Sequence, residues 1–175
     1  PGRVEGVYAE PLAGRKGRVD VWDQHVEKSS DRKSFTNRRH YSLKRFEELG
    51  MKVSYSKNAD EINDFASSSV RSRVEYLHEA FEDKTVDAIF TAIGGYNSNE
   101  ILDYLDYDLI KSNPKILCGF SDISALINAI YAKTGLVTYS GPHFSSFGME
   151  KCFGYTLNYF EKCFLSDKEF TVKPS

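Results

Sequence analysis

From residue 51 onward, short apolar runs alternate with segments of helical period, and this alternation restricts the fold more than any other feature. "MKVSY" (51–55), "VDAIFTAIGG" (86–95), "KILCGF" (115–120) and "LVTYSGP" (136–142) have the length and composition of strands. Between them lie amphipathic helical patterns. Val70, Val74, Leu77 and Phe81 follow a serine run fit for an N-cap, and Ile123, Leu126, Ile127, Ile130 and Tyr131 form one apolar stripe. "NSNEILDYLDYDLI" (97–110) predicts a short helix with Asn caps and Ile101, Leu102 and Leu105 inward. A helix over 36–49, with Leu43, Phe46 and Leu49 on one face, ends at Gly50, and "FGYTLNYFEKCF" (153–164) supplies a last one. Strands and helices in strict alternation predict an α/β fold, a parallel sheet with helices on both faces.

The N-terminal part is less regular. "VEGVYAEP" reads as a first strand, Val4 to Tyr8, and residues 12–34 show no sustained period, so a loop or poorly ordered arm is expected there. Residues 1–45 carry 11 Lys/Arg against 6 Asp/Glu within a chain of net charge −2, which makes a solvated basic surface the simplest reading. No nucleic-acid-binding module accompanies it, so no nucleic-acid partner is expected. No apolar run reaches ~18 residues, and no leader-like stretch opens the chain, so neither a membrane partner nor secretion is expected and a cytoplasmic setting is. With 175 residues and 41% hydrophobic content, the chain suits one globular domain.

An open parallel sheet binds ligands beyond the C-terminal ends of its strands. Two segments fall at that edge: "IGGYNSNE", with paired glycines that allow close backbone approach, and "GFSD", a strand-to-helix turn with Ser121 at its tip. A serine there meets the positive end of a helix, which suits a nucleophile whose reaction generates an oxyanion. Gly119-Phe120-Ser121-Asp122-Ile123 lacks the second glycine of the G-x-S-x-G elbow, so a plain helix cap by Ser121 or Asp122 stands as the alternative. Of His25, His40, His78 and His143, only His143, in "SGPHFSSFG", falls at the same edge. It is the one in-chain candidate for a base, or else a loop histidine lining the cleft. The histidines have no metal-ligand company. Cys118, Cys152 and Cys163 form no Cys-x-x-Cys pair, and Cys118 is expected as a small buried hydrophobe. Neither a metal nor a cofactor is expected.

The run "TAIGGYNSNEILDYLDYDLIKSNPKILCGFSDISALINAIYAKTGLVTYSGPHF" resembles the LD-carboxypeptidase family of serine peptidases. "GGYNSN", "YDLIKSNPKILCGFSD" and "YAKTGLVTYSGP" are most similar to its microcin C self-immunity branch. The resemblance spans residues 36–175 and implies a flavodoxin-like domain that carries the nucleophile, Ser121. It implies an oxyanion hole from the backbone N–H groups of Gly95 and Asp122, with Asn97 bordering the substrate. The implied reaction is hydrolysis of an amide near a free carboxylate, in a small peptide or an aminoacyl-nucleotide. In the family the base His and its Glu partner come from a C-terminal domain, and full-length members are expected as homodimers. A unit of 36–175 preceded by an atypical basic segment, 1–35, and lacking that C-terminal domain is therefore expected to be inactive alone. The alternative is a non-catalytic nucleotide- or peptide-binding module.

Overall fold

The computed structural model describes residues 6–13, 17–22, 32–57, 67–151 and 153–174. Five strands form one sheet: β1 (Arg18–Trp22), β2 (Lys52–Tyr55), β3 (Ala88–Thr91), β4 (Ile116–Gly119) and β5 (Tyr139–Ser140). The helices are α1 (Arg32–Glu48), α2 (Val70–Glu82), α3 (Tyr107–Ser112), α4 (Ile123–Thr134) and α5 (Gly154–Phe164), with 3-10 turns at Ser98–Tyr104 and Phe144–Gly148. All four pairings are parallel, in the order β2-β1-β3-β4-β5. This is the flavodoxin-like doubly wound order, with its switch point between β1 and β3.

Alternate residues of each strand feed two cores. Val19, Val21, Ala88, Phe90, Ile116 and Cys118 meet Phe46 of α1 and Phe160 and Phe164 of α5 on one face. Trp22, Ile89 and Leu117 meet α2, α3 and α4 on the other. The first of these cores is aromatic: Phe46, Phe90, Phe147 and Phe160 touch one another at ring separations of 4.5–6.3 Å. Edge-to-face geometry of this kind adds to the burial of apolar area. Cys118 is fully buried and its thiol is pushed well above the ordinary range by desolvation, so it packs as a hydrophobe.

The first strand differs from expectation. Arg18–Trp22, inside the segment read as a loop, is an interior strand, hydrogen-bonded to β2 and β3. Of the proposed strand Val4 to Tyr8, residues 4 and 5 lie outside the described residues, and Val7 makes a single parallel bridge with Leu136. The period of "RVDVW" is real but short. Asp20 falls on the face opposite Val19 and Val21 and puts a charge where an interior strand buries both faces, and tertiary pairing stabilises what local pattern does not announce: Asp20 is buried with Ser54 Oγ donating to its Oδ1 at 2.6 Å. Burial raises the Asp20 pKa above the carboxylate norm despite that bond.

The 97–110 helix also differs. It is split into the 3-10 turn and α3, and the cap is Asp106, which accepts from Leu109 N at 2.9 Å; Asn97 makes no cap bond. Tyr131, read as inward, is exposed. Gly50 (φ 82°) and Gly135 (φ 74°) close α1 and α4 in the left-handed conformation, and Ser69 caps α2 through Ser72 N at 3.1 Å.

Candidate active site at the strand ends

β4 passes into α4 through Phe120 and Ser121. Ser121 has φ 63°, the only positive φ at a non-glycine among the described residues. For an L-residue outside Gly, Asn and Asp this conformation costs about 1–2 kcal/mol. Tertiary structure enforces it. Gly119 has no room for a side chain, since a Cβ there would run into Thr91 Oγ1 and stand 2.9 Å from Ile123 Cγ2. The strand therefore stays pressed against β3 to its last residue, and the reversal falls on Ser121. Its side chain is exposed, and its Oγ has no hydrogen-bond partner among the described residues.

The helix-cap reading is not what the side chains do. Asp122 occupies the N-cap position of α4, yet makes no side-chain cap bond. Its carboxylate instead accepts from Asn97 N at 3.1 Å and Ser98 N at 2.9 Å, while its carbonyl accepts from Ser98 Oγ at 2.6 Å. These three bonds tie the turn after β4 to the glycine loop after β3. Arg73, 1% exposed, holds the same loop from below. Its Nη1 donates to the Asn97 carbonyl at 2.9 Å and its Nη2 to Glu100 Oε2 at 2.6 Å.

Asn97 itself is 7% exposed and turns its amide nitrogen to Ser67 Oγ at 3.1 Å. The exposed residues around the turn are Gly95, Tyr96 (60%) and Phe120 (44%). The glycine in contact with the serine is Gly94: a Cβ placed on it would stand 3.2 Å from Ser121 Cβ and 3.3 Å from Ser121 Oγ. Gly95, next along the loop, is open to solvent. Gly94, Thr91 and Arg73 carry no sequence signal of their own. The doubled glycine marked the loop but not which member would meet the serine.

His143 comes to the same place. It is 4% exposed, its Nδ1 lies 2.7 Å from Thr91 Oγ1, and its ring stacks on Phe120 at 4.1 Å between centroids. His78 is elsewhere, accepting from Asp106 N through Nε2 at 3.0 Å, His40 is on α1 beside Tyr41, and His25 lies outside the described residues. Burial alone lowers the His143 pKa to about 4, so the ring is neutral at pH 7. This has a consequence for stability. The unfolded ring takes up a proton as pH falls through ~6.5, while the folded ring refuses it until about 4. Between those values the fold loses up to about 3 kcal/mol through this group. His78, also lowered by burial, acts in the same direction. Urea unfolding from pH 7 to 4 is expected to show a shallower loss for His143→Gln than for the parent chain; parallel curves would exclude the effect.

The arrangement offers an exposed hydroxyl on a strained turn, a helix N-terminus beneath it and a glycine loop against it. A strong base within the described residues does not accompany them, because His143 is held neutral and reluctant to take a proton. No described grouping of His, Cys, Asp and Glu is suited to hold a metal, and no described helix is long and apolar enough to cross a membrane.

A family model described as the LD-carboxypeptidase N-terminal domain matches residues 26–141. The Bacillus subtilis (strain 168) protein YocD, assigned by its name to the carboxypeptidases, is 59% identical over 129 residues, 74% of this chain and 40% of that protein. The crystal structure of an MccF-like protein from Bacillus anthracis str. Ames superposes with a TM-score of 0.84 at 54% identity, over 91% of this chain and 47% of that one. The microcin C7 self-immunity protein, solved in complex with aspartyl sulfamoyl adenosine, superposes with a TM-score of 0.82 at 30% identity, over 95% and 50% of the two chains. The chain thus spans about two fifths to one half of the length of these relatives.

Proposed function

The chain belongs to the LD-carboxypeptidase N-terminal domain family, and from that premise we propose that it is the nucleophile-bearing part of a serine-dependent amidohydrolase. Its substrate carries an amide near a free carboxylate, and an aminoacyl-nucleotide is the preferred form. The observation that carries this reading is the left-handed Ser121 at the exposed tip of the β4–α4 turn. Strain at a solvent-facing serine, with a loop stitched against it by Asp122, supports a chemical role over a capping one.

In this mechanism Ser121 Oγ attacks the amide carbonyl and its proton passes to a base. The oxyanion forms against the N–H groups of Gly95 and Asp122, where the N-terminus of α4 adds positive potential. Collapse of the tetrahedral adduct expels the amine, which takes the proton. Water then hydrolyses the acyl ester and restores the serine. The base is proposed to lie in the part of the family's length that this chain does not span.

The preference for an aminoacyl-nucleotide is favoured by the "GGYNSN" loop and by the ligand bound to the microcin C7 self-immunity relative. The test is hydrolysis by the chain continued with the remaining half of the Bacillus anthracis relative. Aspartyl sulfamoyl adenosine is expected to be cleaved faster than a murein tetrapeptide, and the 175-residue chain alone is expected to show no turnover. Faster cleavage of the murein peptide would reverse the substrate assignment. Serine-dependent turnover by the chain alone would give the role of base to His143.

A further inference from the structure

His143 is buried beside the proposed nucleophile and the mechanism above leaves it without a task. Four features define its surroundings. Its Nδ1 is engaged by Thr91, a fully buried residue of β3, at 2.7 Å. Its ring stacks, at 27° between planes, on Phe120, the residue that precedes Ser121. Its Nε2 lies 3.5 Å from the point at which a Cβ on Gly94 would stand, and Ser121 Oγ lies 3.3 Å from that same point. The segment that carries it is fastened to the sheet ends, with Gly141 N donating to the Gly119 carbonyl at 3.2 Å and Ser145 N to the Ala92 carbonyl at 3.1 Å.

We propose that His143 is a positioning residue for Ser121: Thr91 and Phe120 fix the plane of its ring, and its Nε2 edge, across the bare face of Gly94, is the group toward which the serine hydroxyl, unbonded among the described residues in this conformation, turns. The proposal rests on the reading of Ser121 as the nucleophile, but its geometry is testable without turnover. Each part of the arrangement needs the others. A side chain on Gly94 would fill the gap between nitrogen and hydroxyl. Without Thr91 the ring would have no fixed tautomer, because a neutral imidazole offers one donor and one acceptor and the partner of one nitrogen decides the state of the other. Stacking on Phe120 couples the ring to the backbone that enters the left-handed residue. A ring that stays neutral well below pH 7 is a poor proton acceptor for a serine, which favours orientation over general-base work.

The experiment is nitrogen-15 NMR of the 175-residue chain labelled at its four histidines, with His143 assigned by its absence in His143→Gln. Ser121→Ala is expected to move the His143 Nε2 resonance, and Thr91→Val to move Nδ1. Conversely, the Ser121 Cβ and amide resonances are expected to move in His143→Phe, which keeps the stack on Phe120 but loses the nitrogen. They are expected to stay near their parent positions in His143→Gln, whose amide reaches the place of Nε2. An unmoved Nε2 resonance in Ser121→Ala would overturn the proposal, as would equal displacement of Ser121 by Phe and Gln. Failure of the nucleophile reading would show separately, as a hydrolysis rate insensitive to Ser121→Ala.

Discussion

Ser121→Gly is expected to make the protein more stable and catalytically dead. At φ 63° the serine sits where glycine rests without penalty. Replacing it by glycine removes a cost of about 1–2 kcal/mol, offset by about 0.4–1 kcal/mol from the greater chain entropy of unfolded glycine, which leaves roughly 1 kcal/mol. The net gain corresponds to a rise in Tm of about 2–4 °C for a chain of this length. A helix cap predicts the opposite sign, because exchanging a capping serine for glycine costs a few tenths of a kcal/mol and for alanine about 1 kcal/mol. Ser121→Ala keeps the left-handed strain and removes no cap bond, so its stability should stay near that of the parent. Both variants remove the oxygen proposed to attack the amide. In the chain continued with the second half of the Bacillus anthracis relative, each is expected to lower kcat at least about 10³-fold. Thermal unfolding of the three proteins and their rates on aspartyl sulfamoyl adenosine check the two halves of the expectation. A destabilised Ser121→Gly would return the residue to the role of cap; an active Ser121→Ala would remove it from the chemistry.

The part of the fold legible in the sequence is the part whose signal is local. α2 and α4 have apolar stripes that repeat over three turns, and Val74, Leu77, Phe81, Leu126, Ile127 and Ile130 are all buried as their spacing requires. The glycine that ends α1 was visible for the same reason, since a left-handed residue after a helix is a local demand. β1 was not legible. Its five residues contain an aspartate, and its place inside the sheet depends on parallel partners more than thirty residues away in β2 and about seventy away in β3. At the site, the turn at Ser121 could be read because a strand, a glycine and a helix stand in succession. The network around it could not. Asp122 was legible as a cap or as an oxyanion donor, whereas its carboxylate is spent on the backbone of Asn97 and Ser98, across 24 or 25 residues of chain. Arg73 lies in a helix pattern that marks it as solvent-facing, yet it is buried under the glycine loop. The pairing of His143 with Thr91 spans 52 residues. Contacts of that separation arise only once the sheet has brought the strand ends together.

Gly148→Ala is expected to be the most damaging single substitution of a glycine in the described structure. A Cβ at Gly148 would meet the backbone of Arg38 in α1, standing 2.7 Å from its Cα and 2.8 Å from its carbonyl carbon. Gly119→Ala is also crowded, but there the atoms in the way belong to the side chains of Thr91 and Ile123, which can rotate or shift. A helix backbone cannot yield without displacing Phe46, and Phe46 packs on Phe90, Phe144, Phe147 and Phe160. Relief therefore requires the Phe144–Gly148 turn to lift from α1, which would also release the Arg45 guanidinium from the Phe147 carbonyl. Overpacking of side chains costs about 1–3 kcal/mol, and a backbone obstruction belongs at or above the top of that range. For a chain of this length the corresponding fall in Tm is about 6–12 °C or more, with Gly119→Ala intermediate. Gly154→Ala is the control: nothing lies within 4 Å of its added Cβ, and alanine at the start of α5 is expected to leave Tm unchanged or raise it by a degree or two. Because His143 immediately precedes the displaced turn, Gly148→Ala should also disturb the histidine's nitrogen resonances. Thermal unfolding of the three variants tests the order. Equal Tm values for Gly148→Ala and Gly154→Ala would mean that α1 and the Phe144–Gly148 turn do not pack backbone to backbone.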